Sequence, residues 1–117
     1  VKKSGRNGWL FYTDEMQKKS ERRHDLYNQL LEALKQDTLT VHYQPVFSLK
    51  ENRIVGCEAL VRWPLAEGGF IPPDVFIPLA EETGLIFQIT RLVIAAAVAD
   101  LNSVLIADRT FHIAINV

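Results

Sequence analysis

Gly56-Cys57-Glu58-Ala59-Leu60-Val61-Arg62-Trp63 is the stretch on which the reading of this chain turns. Ile54 and Val55 lead into it, so an aliphatic run surrounds two charged residues. Such a run, bounded by polar segments, predicts a strand buried on both faces, as in parallel sheets covered by helices. Side chains alternate along a strand, which puts Val55, Cys57, Ala59 and Val61 on one face. Gly56, Glu58, Leu60 and Arg62 share the other. A carboxylate and a guanidinium within a buried strand carry a desolvation cost unless each finds a partner. Two arrangements meet that cost. One is a structural Glu58–Arg62 pair, two same-face steps of ~6.6 Å apart along the strand. The other is a metal-ligating carboxylate beside an anion-binding guanidinium, both near the strand's exit.

Outward from this stretch, Lys50-Glu51-Asn52-Arg53 is a polar turn, preceded by Leu39-Thr40-Val41-His42-Tyr43-Gln44-Pro45-Val46-Phe47. The β-branched and aromatic residues of that run predict a strand, and the connection is too short for a parallel crossover. The two strands should therefore be antiparallel neighbours. Pro45 donates no ladder hydrogen bond, so its strand belongs at an edge, a bulge or a strand end. His42 reads as an exposed or satisfied side chain more readily than as a ligand. Gln44, on the same face, offers an amide to a ligand or to neighbouring backbone. Cys57 reads as a small apolar packing residue without a nucleophile partner.

On the other side, Pro64 to Gly69 reads as a loop, and Pro72-Pro73 opens a helix that Gly84 closes. Phe76, Leu79 and Ala80 supply its apolar face. A second helix, from Leu85 to about Leu105, is so evenly apolar that it should pack on most sides, with Ala95-Ala96-Ala97 permitting close approach. Phe111 to Val117 is a further buried strand, with Asn116 near its end. Upstream, Leu26, Leu30, Leu31 and Leu34 form one stripe, predicting a helix from Arg22 to Lys35 with Ser20 as N-cap. Thr13 to Glu21 reads as a polar linker, helical or extended, and residues 1–12 as a hairpin tail belonging to a preceding domain.

The composition bounds the function. Of 117 residues, 48% are hydrophobic and 23% charged, a globular balance, and the net charge of −1 offers no general attraction for a DNA or RNA polymer. Residues 1–25 carry seven Lys/Arg against four Asp/Glu, which reads as a solvated linker face. One cysteine excludes an internal disulfide framework and suits a reducing compartment. No segment reads as long and apolar enough to span a bilayer, and the expected location is cytoplasmic, with any membrane attachment supplied by upstream segments.

Tyr43-Gln44-Pro45, then Ile54 to Trp63 with Glu58-Ala59-Leu60 at its centre, then Phe76-Ile77-Pro78-Leu79-Ala80-Glu81-Glu82-Thr83-Gly84-Leu85-Ile86 resemble, block by block, the EAL domain family of bacterial cyclic-di-GMP phosphodiesterases. Gly5-Arg6-Asn7 resembles the closing hairpin of a GGDEF-like domain. The resemblance implies an α/β fold: the N-terminal portion of a (β/α)8 TIM-like barrel with an antiparallel first strand, ending after the third strand. The implied division is 1–12 for the GGDEF-like tail, 13–21 for the linker and 22–117 for the first part of the EAL domain.

The resemblance also implies roles. Glu58 is the catalytic, metal-ligating glutamate and Asn116 a second metal ligand. Arg62 contacts a substrate phosphate, Leu60 lines the dinucleotide pocket, and Gln44 lies near the phosphodiester. Two Mg²⁺ or Mn²⁺ ions would serve hydrolysis of cyclic-di-GMP to the linear dinucleotide. The alternative is a catalytically inactive EAL module that senses cyclic-di-GMP or binds a protein. The family's other acidic ligands and its lysine fall beyond Val117, and Phe47 and Ser48 depart from its usual residues. This chain alone is expected to be inactive, and a homo-oligomer through the open barrel edge is a further expectation.

Overall fold

The computed structural model describes residues 13–116. The hairpin expected over residues 1–12 lies outside them. The described residues fall into two compact units, one ending at Glu32 and the other starting at Ala33.

Helix α1 spans Asp14–Lys35, beginning well before the expected Arg22. Its cap is Thr13 rather than Ser20: the Thr13 hydroxyl oxygen accepts the Met16 N–H at 3.1 Å. Asp14 and Glu15 sit in the first turn, where the macrodipole favours carboxylates, and the Gln17 amide donates to Glu21 one turn on. These polar residues are good helix formers, so the segment read as linker continues the helix without a break. The leucine stripe holds, with Leu30 buried and Leu26, Leu31 and Leu34 half-buried.

In the second unit, strands β1 (Thr40–Ser48) and β2 (Arg53–Pro64) pair antiparallel, with Gln44 opposite Glu58 and His42 opposite Leu60. Among the described residues β1 pairs only with β2, and its register shifts between Val46 and Phe47. Pro45 therefore lies on an edge strand beside a bulge, both of which tolerate a missing donor. The loop after Trp63 contains a short strand unanticipated from sequence, β3 (Phe70–Ile71), which folds back on Trp63 and Pro64.

Helix α2 (Pro73–Thr83) starts after Pro72 and ends on Gly84 at φ 83°. Helix α3 spans Ile86–Ala107 and leads into β4 (His112–Asn116). Strand β4 pairs parallel with β2, placing Ala114 beside Glu58 and Asn116 beside Leu60. Gly56 lies opposite His112. A Cβ at Gly56 would run into the His112 carbonyl oxygen, so the two backbones meet this closely only because that side chain is absent.

Helices α2 and α3 cover one face of the sheet. Cys57, Ala59, Val61 and Trp63 are buried there, with Phe76, Leu79, Ala80, Ile89, Val93 and Ala97 from the helices. Trp63 and Phe76 meet edge to face, their centroids 5.4 Å apart. At the edge, the Tyr43 hydroxyl donates to an Asp100 carboxylate oxygen at 2.6 Å, tying β1 to α3. Burial and that carboxylate push the Tyr43 pKa up to about 12.

Four sequence expectations need correction here. Strand β2 is buried on one face, not two: Glu58, Leu60 and Arg62 are half-buried, because no described element covers their side of the sheet. Strand β4 is half-exposed for the same reason. Helix α3 buries a single stripe, Ile89, Val93 and Ala97, while Phe87, Ile94, Val98 and Ile106 are exposed. Its 22 residues are also long and apolar enough to cross a membrane, contrary to the reading from sequence. Length and composition alone meet that test; the stripe packed on the sheet accounts for Ile89, Val93 and Ala97 but not for the exposed apolar residues.

Candidate functional site

Parallel pairing of β2 with β4 gathers the residues singled out from sequence: Glu58 and Leu60 in the middle of β2, Arg62 near its C-terminal end and Asn116 at the end of β4. Glu58, Leu60 and Arg62 project from the same face of β2, two residues apart. Asn116 is the last described residue of β4. Its amide Nδ2 donates to Glu58 Oε2 at 2.9 Å, diagonally across the two strands. The structural Glu58–Arg62 pair is not what satisfies these charges. Arg62 Nη1 donates to the Val61 carbonyl at 3.0 Å, and Glu58 is held by Asn116 instead.

A cleft of about 320 Å³ opens at this end. Leu60, Val61, Arg62 and Asn116 form one wall, and Pro73, Asp74, Ile77 and Pro78 from α2 form the other. Three sequence candidates thus line one cavity, and Glu58 joins them through Asn116. Gln44 does not line the cleft; it lies opposite Glu58 on the exposed side of β1. The α2 wall was missed from sequence. The available signal was Pro72-Pro73, which starts a helix only a short loop after the strand carrying Arg62, so the first turn must stand near the strand's end.

The donor set is oxygen-based. With Asn116 Nδ2 engaged, its amide oxygen and the second Glu58 oxygen remain as hard ligands suited to Mg²⁺ or Mn²⁺. Two donors do not complete an octahedral site, and no group of three or more His, Cys, Asp or Glu residues is placed to hold a metal among the described residues. Glu58 and Asn116 fit such an ion as part of a larger set.

The opposite end of the sheet is built differently. Arg53 contacts Glu51 at 2.8 Å and Asp108 at 3.2 Å. Asp108 also accepts from the Thr110 hydroxyl at 2.6 Å and the Thr110 N–H at 2.9 Å. The Thr110 bonds, with Arg53, hold the Asp108 carboxyl below its usual pKa. This exposed knot closes the turn between α3 and β4.

A family model described as EAL domain matches residues 27–117. The chain belongs to the EAL domain family. It is 42% identical over 90 residues to the probable cyclic di-GMP phosphodiesterase PdeB of Escherichia coli, covering 77% of this chain and 17% of that protein. It is 39% identical over 97 residues to the bifunctional diguanylate cyclase/cyclic di-GMP phosphodiesterase MucR of Pseudomonas aeruginosa, covering 83% of this chain and 14% of that protein. The solved structure of the PaMucR phosphodiesterase in complex with c-di-GMP superimposes with a TM-score of 0.69 at 37% identity, over 80% of this chain and 38% of that one. The chain thus spans about a sixth of these curated relatives' length, and its α/β fold, with an antiparallel first strand pair, corresponds to part of an EAL domain.

Proposed function

We propose that these residues form the first part of the catalytic barrel of a metal-dependent cyclic-di-GMP phosphodiesterase, the barrel's remaining strands and ligands being supplied by the full-length protein. The observation that carries this reading is the 2.9 Å contact between Asn116 and Glu58 across β2 and β4. It gathers two hard oxygen donors beside the C-terminal end of β4, the end of the strands at which barrels of this kind perform their chemistry. The barrel reading also accounts for the uncovered sheet face, which becomes the barrel interior, and for the outward apolar residues of α3, which neighbouring elements or a second copy would cover.

In this reading Glu58 and Asn116 present oxygens to Mg²⁺ or Mn²⁺, ions that polarise a phosphodiester and activate water when bound. Arg62, at the cleft wall, has guanidinium donors left over after its bond to Val61 and binds a substrate phosphate through them. Leu60 gives the dinucleotide an apolar surface. Gln44, opposite Glu58, donates its amide toward the phosphodiester. The same reading makes residues 1–12 the end of a GGDEF-like domain and 13–21 the connection to the EAL part. MucR, with a name that joins both activities, supports the two occurring in one protein. A cytoplasmic setting belongs to the proposal as well, since a dinucleotide second messenger acts there.

The test is hydrolysis of cyclic-di-GMP by the full-length protein with Mg²⁺ or Mn²⁺, beside its Glu58→Gln variant. Metal-dependent formation of the linear dinucleotide is expected, reduced at least about a hundredfold in the variant, since even residues that only support a ligand cost 10–100-fold. Binding without turnover in both proteins would replace the enzyme by a cyclic-di-GMP sensor.

A further inference from the structure

The contact that joins Glu58 to Asn116 runs diagonally between the strands. In the parallel register Glu58 lies beside Ala114, whereas Asn116 lies beside Leu60, one same-face step further on. With strands ~4.8 Å apart and a same-face step of ~6.6 Å, the Cα atoms of Glu58 and Asn116 are about 8 Å apart. The Glu58 carboxylate therefore leans forward and across the seam, past the side chain of residue 114, to accept from Asn116 Nδ2 at 2.9 Å. Its neighbour on the other side is Gln44 of β1, with which it forms no hydrogen bond among the described residues. One row earlier the seam is tight: a Cβ at Gly56 would strike the His112 carbonyl oxygen.

We infer that Ala114 is a positioning residue for Glu58: a methyl group at this place leaves open the path by which the carboxylate reaches Asn116. A branched side chain at 114 fills that path and turns the carboxylate back toward Gln44. The Glu58 and Asn116 oxygens then no longer face one ion, although neither ligand has been changed. Strand preference gives no reason for alanine here. Ala114 is exposed on the open face, and strands favour β-branched residues over alanine. Ile113 and Ile115, its neighbours along β4, follow that preference on the other face. Ala114 departs from it beside the carboxylate that the chemistry needs, and such departures from local preference gather at functional sites.

This inference rests on the phosphodiesterase reading, and the experiment separates the two. Mn²⁺ binding, followed by the electron paramagnetic resonance signal of the free ion, is compared for the full-length protein, Ala114→Ser and Ala114→Val. Cyclic-di-GMP hydrolysis and the urea midpoint are measured on the same proteins. Ala114→Val should raise the Mn²⁺ dissociation constant about tenfold or more, as for other residues that only orient a ligand. Its turnover should fall by a similar factor at limiting Mn²⁺ and recover in part as the ion is raised, with an unchanged urea midpoint. Ala114→Ser, nearly as small, should keep wild-type metal affinity. A folded Ala114→Val with unchanged metal affinity would overturn the assignment of Ala114 alone, as would an equal loss in Ala114→Ser. A large fall in the urea midpoint of Ala114→Val would make Ala114 a packing residue and overturn it too. A wild type that neither binds Mn²⁺ nor hydrolyses cyclic-di-GMP would overturn the phosphodiesterase reading and this inference together.

Discussion

The two faces of β2 have opposite characters although they share one backbone. Toward the helices, Cys57, Ala59, Val61 and Trp63 are buried. Toward the other side, Gly56, Glu58, Leu60 and Arg62 alternate with them, and three of the four are half-buried at most. One face holds the fold and the other holds the chemistry, and a period of two residues keeps them apart. The arrangement lets charge reach the middle of a sheet without entering its core. It also predicts that substitutions on the two faces damage different properties.

The sharpest break should come from the covered face. Phe76 is fully buried against Trp63, and Phe76→Ala should cost about 3–5 kcal/mol through lost burial and the cavity left behind. A lowered urea midpoint of the full-length protein would register it. On the open face, Glu58→Gln should leave that midpoint nearly unchanged while removing turnover. If it unfolds the protein instead, the division between the faces fails.

Gly56 tests the open face differently, because there the constraint is steric. Gly56→Ala forces a methyl against the His112 carbonyl and should cost about 1–3 kcal/mol as the strands separate. Loss of amide protection in β4, seen by hydrogen exchange, should accompany it. A variant with unchanged exchange would mean that the backbones are not so closely apposed.

The smallest effect belongs to the edge. Tyr43 keeps its proton in the folded state to about pH 12, against 10.0 for the free side chain. Because the folded form binds this proton more tightly, its contribution is full below pH 10 and disappears as pH rises through 12. Tyr43→Phe should therefore lower stability by about 1 kcal/mol at neutral pH. It should also remove part of the alkaline fall in stability measured by urea titration. An identical alkaline profile in the variant would separate Tyr43 from that fall.

Much of this was legible in the chain itself. The short turn at Lys50–Arg53 dictated antiparallel pairing, and Pro45 marked an edge. Glu58 and Asn116, in strands joined through a crossover, pointed to a shared site, although Glu58 lies in the middle of β2 rather than late in it. The reach of α1 back to Asp14 was harder to see, because its first turns are polar all round and carry no apolar period. The α2 wall was hidden for another reason. Pro73 and Asp74 are far from Arg62 in character, and nothing local says which way a helix turns after its loop.

The sequence by itself determined the alternation that segregates charge from core on β2, the strand and helix order, and the candidate carboxylate, amide and guanidinium. These follow from local geometry, since side-chain direction in a strand is set by the backbone alone. Only the tertiary structure decided that Glu58 is held by Asn116 rather than by Arg62, and that Asp74 faces the same cleft as Arg62. Both depend on parallel register and on the docking of α2, contacts between residues far apart in the chain that no local rule specifies.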